Sequence, residues 1–251
     1  MTARSVLLSV LLGSDPPRLP VNLLVSTTEL FGIAEGTART ALSRMTSTGE
    51  LRAADGRYEI ASERLLHRQA RQAISRQGVG APWGLGDEWL QAVVAADGRR
   101  PAAERAALRE ALGDARLAEL REGVWLRPAN LERPDLGRDA GEDVVWFLAA
   151  PDGDPVALAR RLWDLDGWAE GARSLQAELS RLVPALEGGE RSVLAEGFVA
   201  SAAVLRHLQA DPLLPAALLP SSWPGGDLRA TYDRFDVAYR AVLRAWFDAH
   251  R

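Results

Sequence analysis

Asp55-Gly56 lies between two short alternating runs, Glu50-Leu51-Arg52-Ala53 and Arg57-Tyr58-Glu59-Ile60. A two-residue link of this kind matches the twist of paired antiparallel strands when both residues take positive φ, which Asp and Gly tolerate best. A β-hairpin is therefore the local solution. The residues before it are equally constrained. Thr2 to Leu12 is an apolar-periodic segment stopped by Gly13 and Asp15-Pro16-Pro17, and Pro20 stands where a helix from Val21 to about Leu30 opens. After the tight connection Phe31-Gly32-Ile33, a third helical segment runs from about Ala34 to Thr48, with Gly49 at the position that favours a left-handed residue. Three helices followed at once by a hairpin is the order of a winged helix-turn-helix.

The third helix has two unlike sides. At about 100° per residue, Ala38, Ala41, Leu42 and Met45 share one arc and are expected to pack inward. Gly36, Thr40, Ser43 and Ser47 then point outward, with Arg39 and Arg44 on either shoulder. A ridge of small and hydroxyl-bearing residues can approach base edges in a major groove, and flanking arginines can reach guanines or phosphates. With the hairpin arginines added, the candidate DNA-contact set is Gly36, Thr37, Arg39, Thr40, Ser43, Arg44, Arg52 and Arg57.

Charge and composition fit that expectation. The whole chain carries −4, yet the first 77 residues hold ten arginines against seven acids, and the remainder holds twenty against twenty-seven. The positive excess lies in the segment that would face DNA. Lysine is absent, so any phosphate contact must come from a planar guanidinium. With no cysteine, disulfides and thiolate metal sites are excluded, which fits a cytoplasmic protein. No apolar run approaches the roughly 20 residues of a membrane span. The opening Arg4 and its short apolar stretch are read as a first helix rather than a cleaved leader, because only Ser14-Asp15-Pro16-Pro17 follows.

The rest of the chain suggests an α+β multidomain protein: a winged helix-turn-helix over 1–62, a helical linker over 63–80, a middle domain over 81–152 and an all-α domain over 153–251. In the middle domain, Glu88–Ala95, Val124–Arg127 (halted by Pro128) and Asp143–Ala149 suit strands, and Pro101–Leu112 suits a helix. This is compatible with a ferredoxin-like βαββαβ pattern. Beyond Pro155, helices are expected at Val156–Leu165, Trp168–Leu182, Arg191–Ala210 and Leu228–Ala249. The proline-punctuated stretch 211–226 cannot be helical throughout and is expected to drape over other elements with its Leu and Trp side chains buried.

Three blocks together resemble one family: Thr2-Ala-Arg-Ser with Arg39-Thr-Ala-Leu-Ser-Arg44, then Gly123-Val-Trp-Leu-Arg-Pro128, then Asp211-Pro-Leu-Leu-Pro with Leu218-Leu-Pro-Ser-Ser-Trp-Pro-Gly225. Their order is similar to that of the PaaX-type repressors of phenylacetate degradation. The resemblance implies a winged-helix DNA-binding domain, a Cas2-like ferredoxin-like middle domain, a helical C-terminal domain, and a homodimeric repressor released by an aryl- or acyl-CoA thioester. The recognition helix also resembles that of GntR-type winged helices, around Thr37-Ala-Arg39-Thr-Ala-Leu42 and Gly49-Glu-Leu51, although Ile33-Ala34-Glu35-Gly36 lacks a capping Ser or Thr. Arg99, Arg100, Arg121, Arg127, Arg133 and Arg138 offer cations for the phosphates of such an effector, but no motif marks its pocket.

Other function classes find less support. A Cas2-like nuclease would place a metal-binding acid near Asp97, where a lone carboxylate beside Gly98 also reads as a turn. His67, His207 and His250 share no ligand spacing, and Asp164 and Asp166, two apart, read as a helix end and the next helix start. No Gly-x-Ser-x-Gly elbow or phosphate loop is present, so neither a catalytic residue nor a cofactor is expected. A winged helix retained for protein contact is the remaining alternative.

Overall fold

The computed structural model describes residues 2–14, 16–63, 65–66, 75–78, 80–94, 101–137 and 143–248. His67, Asp97, Arg99, Arg100, Arg138, His250 and much of the expected 63–80 linker lie outside the described residues. The architecture is α+β: helices, two small antiparallel sheets and a C-terminal helical region. By density of internal contacts it falls into two units, one of Met1–Gln77, Ser174–Gln209 and Asp227–Arg251, the other of Gly78–Arg173 and Ala210–Gly226.

The first unit begins with α1 (Ala3–Leu12), whose opening turn is capped by Thr2 Oγ1 accepting from the Ser5 amide at 3.2 Å. Strand β1 (Arg18–Pro20), helices α2 (Val21–Glu29) and α3 (Glu35–Ser47), and strands β2 (Leu51–Ala54) and β3 (Arg57–Ile60) follow. Leu7, Leu11, Leu24, Val25, Ala38, Leu42, Met45, Leu51 and Ile60 close a single apolar core beneath them. The end of α3 is a paired cap: Glu50 N–H donates to Met45 O at 2.9 Å and Gly49 N–H to Thr46 O at 3.1 Å. Gly49 sits at φ +73°, the left-handed geometry this ending requires. Asp55 and Gly56 both take positive φ, 51° and 69°, as expected of the hairpin turn.

Strand β1 was not legible as a strand. It pairs antiparallel with β3, Leu19 opposite Tyr58, giving the order β1-β3-β2.

The C-terminal part of this unit holds α6 (Leu165–Glu187, from Ser174 onward), α7 (Leu194–Gln209) and α8 (Gly225–Asp248, from Asp227 onward), the last carrying a row of stacked rings, Tyr232, Phe235 and Tyr239. Tyr239 Oη donates to Leu194 O at 3.1 Å, and burial pushes its hydroxyl pKa up. Gly197 lets α7 approach α8 closely: a Cβ there would lie 3.0 Å from Tyr239 Cε2 and 3.3 Å from Phe235 Cζ. Two contacts tie these helices to the N-terminal body. The rings of Phe31 and Phe198 lie 5.0 Å apart, and Arg240 Nη1 donates to Gly13 O at 2.6 Å.

The second unit is built on a four-stranded antiparallel sheet of β4 (Trp89–Val94), β5 (Ala118–Arg121), β6 (Val124–Pro128) and β7 (Val144–Ala149), in the order β5-β6-β4-β7. Sequence reading recovers every strand here except β5. Helix α4 (Ala102–Asp114) covers one face through Leu108 and Leu112, against Ala92, Trp125 and Val144. Residues an odd number of positions away, Trp89 and Leu126, point to the other face, where Ala159 of α5 (Pro155–Leu162), Leu165, Leu214 and Leu218 bury them. As expected, the 211–226 connector is draped: Leu213, Leu214 and Leu218 are buried, and Trp223 stacks on Trp168 at 4.5 Å. Arg127 is a correction to its reading as a phosphate-available cation. It is 2 % exposed and donates to the carbonyls of Pro128, Leu131 and Glu132. Burial lowers its pKa to about 10.

Candidate nucleic-acid interface

Helix α3 presents the face that its sequence assigns. Ala38, Leu42 and Met45 are fully buried and Ala41 partly so, while Gly36, Thr37, Arg39, Thr40, Ser43, Arg44 and Ser47 are exposed. The hairpin adds exposed Arg52 on β2 and Arg57 at the start of β3. All eight sequence-selected residues thus lie at the surface of one small body whose core holds the helix by its opposite side.

Their hydrogen bonds divide them. Thr40 Oγ1 donates to Gly36 O at 2.8 Å and Ser47 Oγ to Arg44 O at 2.8 Å, so both lie back along the helix. No side-chain partner is found for Thr37, Ser43, Arg44 or Arg57 among the described residues. Arg39 is held by Glu35 one turn earlier, Nε to Oε1 at 2.7 Å. Arg52 is held by Glu59, the residue directly across the hairpin. The spacing of Glu35 to Arg39 and the register of Arg52 with Glu59 carry both pairings in the sequence; neither was read from it.

Two further pairs brace the body. Arg4 on α1 grips Glu50 with Nε at 3.0 Å and Nη2 at 2.7 Å, and those hydrogen bonds raise its already high pKa. Arg18 on β1 reaches Asp55 at the hairpin tip at 3.4 Å. The start of α3 has Ala34 as its cap residue, with no side-chain hydrogen bond to the first turn.

Elsewhere, no group of three or more His, Cys, Asp or Glu could hold a metal among the described residues. His207 is half-buried on α7. Asp164 Oδ1 accepts from the Gly167 amide at 2.9 Å, a cap at the start of α6 rather than half of an acid pair. A cavity of about 490 Å³ lies beside Trp89, Leu126, Leu158, Gln91 and Arg161 in the second unit. No helix among the described residues is long and apolar enough to cross a membrane.

Two family models match the chain: PaaX-like protein over residues 2–63, and PaaX-like protein C-terminal domain over residues 163–249. The chain is also similar to the solved structure of the uncharacterized protein Rv0674 from Mycobacterium tuberculosis. The identity is 42%, the match covers 97% of this chain and 98% of that one, and the TM-score is 0.76. No curated protein matches.

Proposed function

Since the chain belongs to the PaaX-like family, in general a family of transcription regulators, we propose that it is a sequence-specific DNA-binding regulator that reads its operator with α3. In this reading, α2, the following turn and α3 form a helix-turn-helix, and β2 and β3 form its wing. The observation that carries it is the exposed face of α3: hydroxyl and guanidinium groups project from a helix whose opposite arc is buried through Ala38, Leu42 and Met45. Arg44 and Arg57, which have no side-chain partner among the described residues, are the first candidates for phosphate or guanine, with Arg39 and Thr37 beside them.

The antiparallel order β5-β6-β4-β7, with α4 after the first strand, supports a ferredoxin-like reading of the second unit. The family further supports a cytoplasmic homodimeric repressor that an aryl- or acyl-CoA thioester releases. The 490 Å³ cavity has a size suited to an acyl group. Two copies would present their α3 helices to half-sites about one DNA turn apart or a multiple of it.

The test is fluorescence anisotropy on the duplex upstream of the protein's own gene, across a salt series and with a panel of acyl-CoA thioesters. Binding should weaken steeply as salt rises, because guanidinium–phosphate contacts release counterions. The double variant Arg44→Ala, Arg57→Ala should flatten that dependence, and one thioester should release the DNA. Operator binding indifferent to salt and to both substitutions would refute the reading and favour a winged helix used for protein contact.

A further inference from the structure

Two of the four arginines on the face assigned to DNA are already occupied by carboxylates of the same body, in unlike ways. Arg39 meets Glu35 through Nε alone, which leaves both terminal nitrogens of its guanidinium without a partner among the described residues. Arg52 meets Glu59 through Nε and Nη2 together. The Arg39–Glu35 pair is open to water, with side chains 56 % and 53 % exposed, and Arg52 is 73 % exposed beside a Glu59 that is only 23 % exposed. Exposed pairs of this kind contribute about 0.3–0.5 kcal/mol. They do not hold the fold together.

Their effect falls on what approaches the face. A phosphate arriving at Arg39 meets a carboxylate one helical turn away and a cation whose charge is already matched. Non-specific attachment rests almost wholly on pairing such cations with phosphates. A guanine needs something else, two parallel donors aimed at O6 and N7, and the outer edge of a guanidinium held by its Nε supplies that fork. We propose that Glu35 is a specificity-determining residue: it withholds Arg39 from the DNA backbone and aims its free edge at a base. Glu59 also holds Arg52 by the side of its guanidinium, but from across the hairpin and not along α3, and its contribution is to discourage backbone contact. This rests on the reading of α3 as the helix that meets DNA.

The experiment compares Glu35→Gln with wild type on two duplexes of equal length, one from upstream of the protein's own gene and one of random sequence. Glu122→Gln, at the exposed turn between β5 and β6, makes the same change in net charge away from the face. Glu35→Gln should bind the random duplex several-fold more tightly. The slope of log affinity against log salt should steepen by about 0.9 per protomer as one more phosphate is engaged. The ratio of specific to random affinity should fall roughly fivefold or more as the aimed fork is lost. Glu122→Gln should leave slope and ratio unchanged, and both variants should melt with the wild type. An unchanged ratio and slope in Glu35→Gln would overturn the proposal while leaving the DNA reading intact. Failure of the wild type to bind either duplex at low salt would overturn both.

Discussion

Replacing Gly36 by alanine separates what the fold needs from what the exposed face of α3 does. Gly36 is the second residue of the helix, is exposed, and a Cβ built on it meets nothing within 4 Å. Nothing in the protein calls for glycine there. In a helix interior the exchange would contribute up to about 1 kcal/mol; so near the helix start about half of that is expected. For a chain of this size the melting temperature should rise by about 1–2 °C. Gly49 is the internal contrast. Its φ of +73° closes the end of α3, so alanine there should cost about 1–2 kcal/mol and lower the melting temperature by about 2–8 °C. In DNA binding the positions exchange roles. If the ridge of Gly36, Thr40 and Ser43 lies against base edges, the added methyl of Gly36→Ala forces it outward. A misfit of that kind costs about 1–3 kcal/mol, or fivefold to a hundredfold in affinity. Differential scanning fluorimetry and anisotropy on the same samples read both quantities. A stabilised Gly36→Ala with unaltered operator affinity would show that this ridge does not meet DNA; a destabilised one would show that the site is not open.

Four other substitutions test the remaining framework. Leu42→Ala, which empties a fully buried site beneath α3, should cost about 2–5 kcal/mol in urea unfolding. Gly197→Ala drives a methyl onto the Tyr239 and Phe235 rings and should cost about 1–3 kcal/mol by the same measurement. Arg39→Ala should cost roughly 1–3 kcal/mol of operator affinity and relax discrimination at one base pair, whereas Arg57→Ala should weaken all sequences nearly alike; a binding-site selection experiment distinguishes the two patterns.

What the sequence made legible was whatever local chemistry decides alone. Asp55-Gly56 dictated its turn, Gly49 its helix end, and the arc of Ala38, Leu42 and Met45 the buried side of α3. Strand β1 could not be read because Arg18-Leu19-Pro20 has no periodicity of its own and becomes a strand only through Glu59, Tyr58 and Arg57 across the sheet. Strand β5 was hidden for a similar reason: Ala118–Arg121 is short, carries two charges, and pairs with β6 through an irregularity between Glu119 and Arg121. At the face itself exposure was legible, but not which arginines were free. Arg127 makes the same point inside the second unit, since only the fold around it turns a strand arginine into a clasp on three carbonyls.

The tie between Arg240 and the Gly13 carbonyl spans 227 residues of chain. At a synthesis rate of about 5–20 residues per second, roughly 9–36 s pass between completion of the hairpin at Ile60 and the making of that guanidinium. During this interval Phe31 waits for Phe198 and is held only by its own small body. The pace of translation between the two halves of each anchor therefore sets how long an incomplete chain, with α3 already made, is present.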